Sequence, residues 1–199
     1  MKRIIAFFAG LAATIAVSAQ TFAPLTVSGF EFTPVFVQAN PIGGGLFDNY
    51  TLEVGGRNAT FGSQSMVVYS LEREYGNPPA GWAYSALPND SQDMGKLFSV
   101  AGPIDTALKS GALQLAVWQL NGTKNFNVVN DPYGAWGKAQ TWISQLGDAQ
   151  SITSLSVLEN KNYNYFITAT NPVPEPTTYA LMLAGLAAVA MLQARRKKA

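Results

Sequence analysis

The chain has 199 residues, with no cysteine and no histidine, 13 basic and 12 acidic side chains, and 12% aromatic residues, enough apolar bulk for a sizeable core. Lacking cysteine and histidine, it is excluded from disulfides, thiolate nucleophiles, a Ser-His-Asp triad and the usual zinc, copper and haem sites, and no cofactor or metal is expected. Six basic residues (Lys2, Arg3, Arg195, Arg196, Lys197, Lys198) lie at the two ends, leaving seven basic against eleven acidic residues in 20–171. That stretch is mildly acidic and offers no basic stripe for nucleic acid.

The first residues form a basic start, an apolar run from Ile4 to Val17 and a small-x-small exit, Val17-Ser18-Ala19. This is the pattern of a secretory signal peptide over 1–19, cut after Ala19 by signal peptidase once the translocon has taken the chain. The run falls short of the ~20 apolar residues that an uncleaved anchor usually needs.

Residues 20–171 read as one exported domain. Pro24–Gln38 is β-branched and aromatic, broken by Gly29 and Pro34, and predicts one bent strand or two short ones. Asn40–Gly45 is expected to be a loop and Asp48–Val54 a strand, with a turn at Gly55-Gly56. Ser65–Glu74 predicts a buried strand, and Gly76–Asp93, dense in Pro, Gly and Asn, a long loop holding Trp82 and Tyr84. Asp105 is placed as the cap of a helix running to about Leu120, with Leu108, Ala112, Leu115, Ala116 and Val117 facing the core. Asp131-Pro132 is placed as the N-cap and first position of a second helix that ends at Leu146 before Gly147. Ser151–Leu158 and Tyr163–Ala169 predict an antiparallel pair turning at Glu159–Asn162. The fold class expected is α+β: a β-rich, sandwich- or barrel-like domain with a two-helix insertion.

Residues 172–199 hold Pro174-Glu175-Pro176, then an apolar run from Tyr179 to Leu192, then Arg195, Arg196, Lys197 and Lys198. With its flanks (177–194) the run is just long enough to cross a bilayer, and the basic end belongs on the cytoplasmic side. An ordinary single-pass anchor would share the helix and the charges but has no need of Pro-Glu-Pro. This tripartite tail resembles the PEP-CTERM sorting signal. The resemblance implies transient anchoring in the inner membrane of a Gram-negative cell and recognition of Pro174, Glu175 and Pro176 by an exosortase-type membrane protease, with Arg195–Lys198 as the retention end. It further implies release to the cell surface or an extracellular matrix, in company with exopolysaccharide.

Two motifs in the middle of the chain resemble the bacterial thioester domain. Leu113-Gln114-Leu115-Ala116-Val117-Trp118 matches its hydrophobic-Gln-x-x-hydrophobic-Trp helix. Tyr69-Ser70-Leu71 matches its aromatic-Cys-hydrophobic strand, with serine in place of the reactive cysteine. In that family the cysteine sulfur attacks the glutamine carbonyl and ammonia leaves. Here Ser70 lacks the low pKa of a thiol and the chain has no histidine to activate it. The position is therefore read as degenerate, with Gln114 a buried amide bonded to neighbouring backbone and Trp118 beside it. A Ser70–Gln114 ester is the sharper alternative.

Further candidates are Glu72 and Glu74, two apart on one strand face, and Asp90 and Asp93, any of which could serve a glycoside hydrolase. Trp82, Tyr84, Tyr133 and Trp136 could stack on sugar rings. Four sequons (Asn49, Asn58, Asn89, Asn121) carry no weight by themselves. The expected function is a non-enzymatic surface or matrix protein associated with exopolysaccharide or biofilm. An adhesin binding carbohydrate or protein is the second reading, and an exported hydrolase the third.

Overall fold

The computed structural model describes residues 21–42, 49–72, 78–122, 126–152 and 154–169. The expected signal peptide, the sorting residues, the basic tail and the expected spanning segment 177–194 lie outside them. Among the described residues no helix is long and apolar enough to cross a membrane.

The β-branched stretch at the start of the domain forms two strands, β1 (Thr21–Phe30) and β2 (Val35–Pro41), parted at residues 31–34. Pro34 has no N–H to lend a ladder, which suits the break. β3 (Tyr50–Val54) follows, then β4 (Arg57–Phe61) and β5 (Gln64–Ser70), joined by the Gly62-Ser63 turn. Gly62 has φ +60° there, as a two-residue hairpin with glycine first requires. Residues 82–88, expected as loop, are instead a strand, β6 (Trp82–Pro88). The stretch from Ser91 holds a third helix, α1 (Gln92–Ala101), where two were expected. Its signals are a Ser91 hydroxyl that accepts from the Met94 N–H, Asp93 in the first turn, and Met94, Leu97, Phe98 and Ala101 on one buried face.

α2 (Ala107–Leu120) is capped by Thr106, one residue after the expected Asp105, which pairs instead with Lys109 at 2.9 Å. Ser110 to Trp118 are buried without a break, so α2 has no solvent face along these residues. A helix apolar on nearly all sides belongs in an interior. After β7 (Phe126–Asn130), α3 (Ala135–Ser144) starts four residues beyond Asp131. Residues 131–134 form a turn that ends in Gly134 at φ +76°, outside helical geometry, so Asp131 and Pro132 are not its cap and first position. The Asp131 carboxylate nevertheless accepts from the N–H groups of Ala135, Trp136 and Gly137, satisfying first-turn donors from a distance. The expected final pair is present as β8 (Leu155–Glu159) and β9 (Phe166–Ala169).

Six strands close an antiparallel barrel in the order β1-β4-β5-β9-β8-β6, and the other three form a sheet in the order β3-β2-β7. Inward-facing Leu25, Phe61, Val68, Tyr84, Leu158 and Phe166 fill the barrel. The alternate residues of β5, β9 and β8 (Tyr69, Ile167, Leu155) face outward into a larger core shared with the helices and the second sheet. α2 lies at the centre of that core: a Cβ on Gly111 would sit 2.2 Å from Val35 Cγ2.

Candidate functional site

Ser70 is the last residue of β5, and the ladder to β4 stops two residues earlier at Val68, opposite Arg57. Its backbone therefore needs partners on that side. Gln114, 3% exposed on α2, supplies both: its Oε1 accepts from the Ser70 N–H at 3.0 Å and its Nε2 donates to the Ser70 carbonyl at 2.8 Å. The amide thus stands in for a neighbouring strand. Two helical turns on, Asn121 Nδ2 donates to the Leu71 carbonyl at 3.0 Å, while the Leu71 N–H reaches the Tyr165 carbonyl at 2.8 Å. In the sequence Asn121 stands out only as a sequon. The spacing of seven from Gln114 was the available signal that both amides share a helix face.

The Ser70 hydroxyl is committed elsewhere, donating to the Glu72 carbonyl. Trp118, 6% exposed, meets Phe126 edge-on with ring centres 6.0 Å apart. Ser70 and Gln114 are thus joined by amide-to-backbone bonds, with Trp118 one turn further along α2 against Phe126.

A polar seam runs alongside. The Ser110 hydroxyl accepts from the Gly56 N–H at 2.8 Å and hydrogen-bonds the Tyr69 hydroxyl. Burial pushes the Tyr69 phenol up to about 12, with the nearby Glu31 carboxylate adding to the rise. Burial also raises Glu31 above the usual carboxylate range.

The other candidates scatter. Tyr84 is fully buried inside the barrel, its hydroxyl donating to the Asn164 carbonyl at 3.2 Å, so it cannot stack on a ligand. Trp82, 42% exposed, packs edge-on against Tyr163 at 4.7 Å. Tyr133 and Phe36 line an open groove of about 410 Å³ with Pro34, Thr106 and Leu108. Trp136 is half-buried at the start of α3. Asp93 belongs to the first turn of α1 and Asp90 is exposed, while Glu74 lies outside the described residues. Among the described residues no three carboxylates gather to hold a metal ion.

Residues 172–197 match the PEP-CTERM protein-sorting motif. The motif implies an exported protein, anchored in the membrane before an exosortase processes it. No curated protein and no solved structure matches the chain, so the likeness of the middle domain to thioester domains rests on its two short motifs.

Proposed function

We propose that this chain is a non-enzymatic component of the cell surface or extracellular matrix of a Gram-negative cell, delivered by exosortase sorting and associated with exopolysaccharide. The observation that carries this reading is the sorting motif, which begins three residues past the end of the last barrel strand. Pro174, Glu175 and Pro176 are the residues the protease reads, and Arg195, Arg196, Lys197 and Lys198 hold the tail until the cut. The middle domain is a thioester-type scaffold whose covalent bond has been replaced by hydrogen bonds. Gln114 keeps its place against residue 70, but it grips the backbone, and the serine hydroxyl turns away to Glu72. Among the described residues the Ser70 hydroxyl donates to a backbone carbonyl and not to a side chain that could take its proton.

The test is co-sedimentation of the purified protein with exopolysaccharide from the native host, alongside reducing-end release. Retention with the polymer and no new reducing ends is expected. Release that disappears in Glu72→Gln would establish the hydrolase instead.

A specific observation favours the second reading, an adhesin. The Phe36–Tyr133 groove exposes two aromatic rings, with Tyr133 55% exposed, beside apolar walls. Saturable binding of a defined glycan, lost in Tyr133→Ala, would support it over a purely structural role.

A further inference from the structure

The three-stranded sheet has one covered face and one open face. Along β2 burial alternates: Val35, Val37 and Ala39 sink into the core shared with α2, while Phe36 and Gln38 are exposed. Register sets their neighbours on the open face. Phe36 stands opposite Glu53, Gln38 opposite both Thr51 and Asn130, and Asn40 opposite Asn127. The ladder to β7 slips between Gln38 and Ala39, and this bulge leaves Val129 exposed as well as Asn130. Asn130 Nδ2 donates to Gln38 Oε1 at 3.3 Å, so the two amides lie side by side across the strands.

This face is nearly uncharged. Glu53 is the only charged side chain on the three strands, and Arg57, which interacts with it, sits over the Phe30 ring at 4.1 Å. A polyanion finds no cation on these strands, and the acidic excess of residues 20–171 repels it. Amides both donate and accept hydrogen bonds, as hydroxyl groups do, so Gln38, Asn40, Asn127 and Asn130 suit a partner covered in hydroxyls. Phe36 and Tyr133, where the groove opens at one end of the face, offer aromatic surface to the C–H side of a sugar ring. From strand rise and spacing the face is about 20 Å long and about 10 Å wide, roughly 200 Å². That is well short of the about 800 Å² that each side of a stable protein interface covers.

We propose that the open face of the β3-β2-β7 sheet binds an uncharged polysaccharide, with Phe36 and Tyr133 at one end and the four amides along it. The polymer lies along β2, its hydroxyls on the amides and one sugar ring on Phe36. This rests on the reading of the protein as associated with exopolysaccharide, and deepens it by naming the class of polymer and the surface that holds it. Contacts without ion pairs make the binding insensitive to salt, unlike capture of an acidic polymer by cations.

The test immobilises the full chain in a detergent without sugar groups and titrates it with exopolysaccharide of the native host, separated by anion exchange into neutral and acidic fractions. Saturable binding of the neutral fraction is expected, unchanged by added salt. Phe36→Ala and the double variant Gln38→Ala/Asn130→Ala change exposed side chains, so their melting temperatures are expected to stay in place while binding weakens by about tenfold. Trp82→Ala is expected to leave binding intact. Binding of the acidic fraction alone overturns the proposal and leaves the association with exopolysaccharide standing. Binding of neither fraction overturns both. Neutral binding that survives both face variants, or is lost in Trp82→Ala instead, moves the polymer elsewhere and overturns the assignment of this face. In sedimentation velocity, a dimer that dissociates in Phe36→Ala gives the face to a second copy and also overturns the proposal.

Discussion

The Gln114 side chain and the Ser70 backbone form a two-way hydrogen-bonded pair, at 3.0 and 2.8 Å, that joins the central helix to the end of a barrel strand. One buried amide satisfies a donor and an acceptor that would otherwise be stranded where the β4–β5 ladder ends. Leaving such groups unsatisfied costs about 1–3 kcal/mol each.

Gln114→Leu keeps the volume and removes both bonds, so thermal or urea unfolding is expected to report a loss of about 2–4 kcal/mol. Gln114→Ala adds a cavity and costs more. A Gln114→Leu variant as stable as the wild type would remove the clamp from the account.

Position 70 separates the two chemistries. Wild-type protein is expected to keep the full mass of its processed sequence, because the Ser70 hydroxyl is bonded to the Glu72 carbonyl. In Ser70→Cys the thiolate can attack the Gln114 carbonyl with departure of ammonia, a mass loss of about 17 Da. Intact mass spectrometry reads both. A loss already present in wild type would establish an ester there, and an unchanged mass in Ser70→Cys would sever the domain from thioester chemistry.

Gly95 shows how tightly α1 docks. A Cβ there would lie 1.9 Å from Ser151 Oγ and 2.6 Å from the Ile152 carbonyl oxygen, and the latter is backbone that has little room to yield. Gly95→Ala is expected to destabilise by about 3 kcal/mol, roughly 10 °C in melting temperature. A change within experimental error would mean that α1 can slide on its seat.

Tyr69 and Tyr84 both have phenol pKa values pushed up to about 12, with burial as the main cause. Unfolded, each ionises near pH 10. Between these values the folded state holds more protons than the unfolded state, so stability falls as pH rises from about 10 to 12 and is unaffected below. Absorbance titration of phenolate alongside melts at each pH checks this. Tyr69→Phe should soften the alkaline decline, and an unchanged profile in that variant would contradict it.

Much of this architecture was legible in the sequence. β-branched and aromatic runs marked β1, β2, β3 and β5, alternation marked the final pair β8 and β9, and the cap of the helix carrying Gln114 was placed one residue early. The misses have physical causes. β6 hid in a Pro/Gly/Asn-rich stretch because Tyr84 is its one large inward side chain, with small Ala86 next on that face. β4 buries only Ala59 and Phe61, and β7 buries Phe126 while exposing Val129, so neither shows a clear apolar run. α2 looked amphipathic only because solvent was assumed on one side, whereas it is enclosed by the sheet, the barrel and two helices. The Ser70–Gln114 meeting was suggested by motif resemblance alone. No spacing rule joins residues 44 apart, and the direction of the serine hydroxyl needed coordinates.

The most direct test of the account compares the wild type with a Pro174-Glu175-Pro176 to Ala-Ala-Ala variant in the native host, by fractionation and intact mass. The account predicts wild-type protein outside the cell without its apolar tail segment, and the variant held in the inner membrane with its tail uncut. Both proteins uncut in the membrane, or both released alike, would contradict exosortase sorting and remove the main support for a role in the matrix.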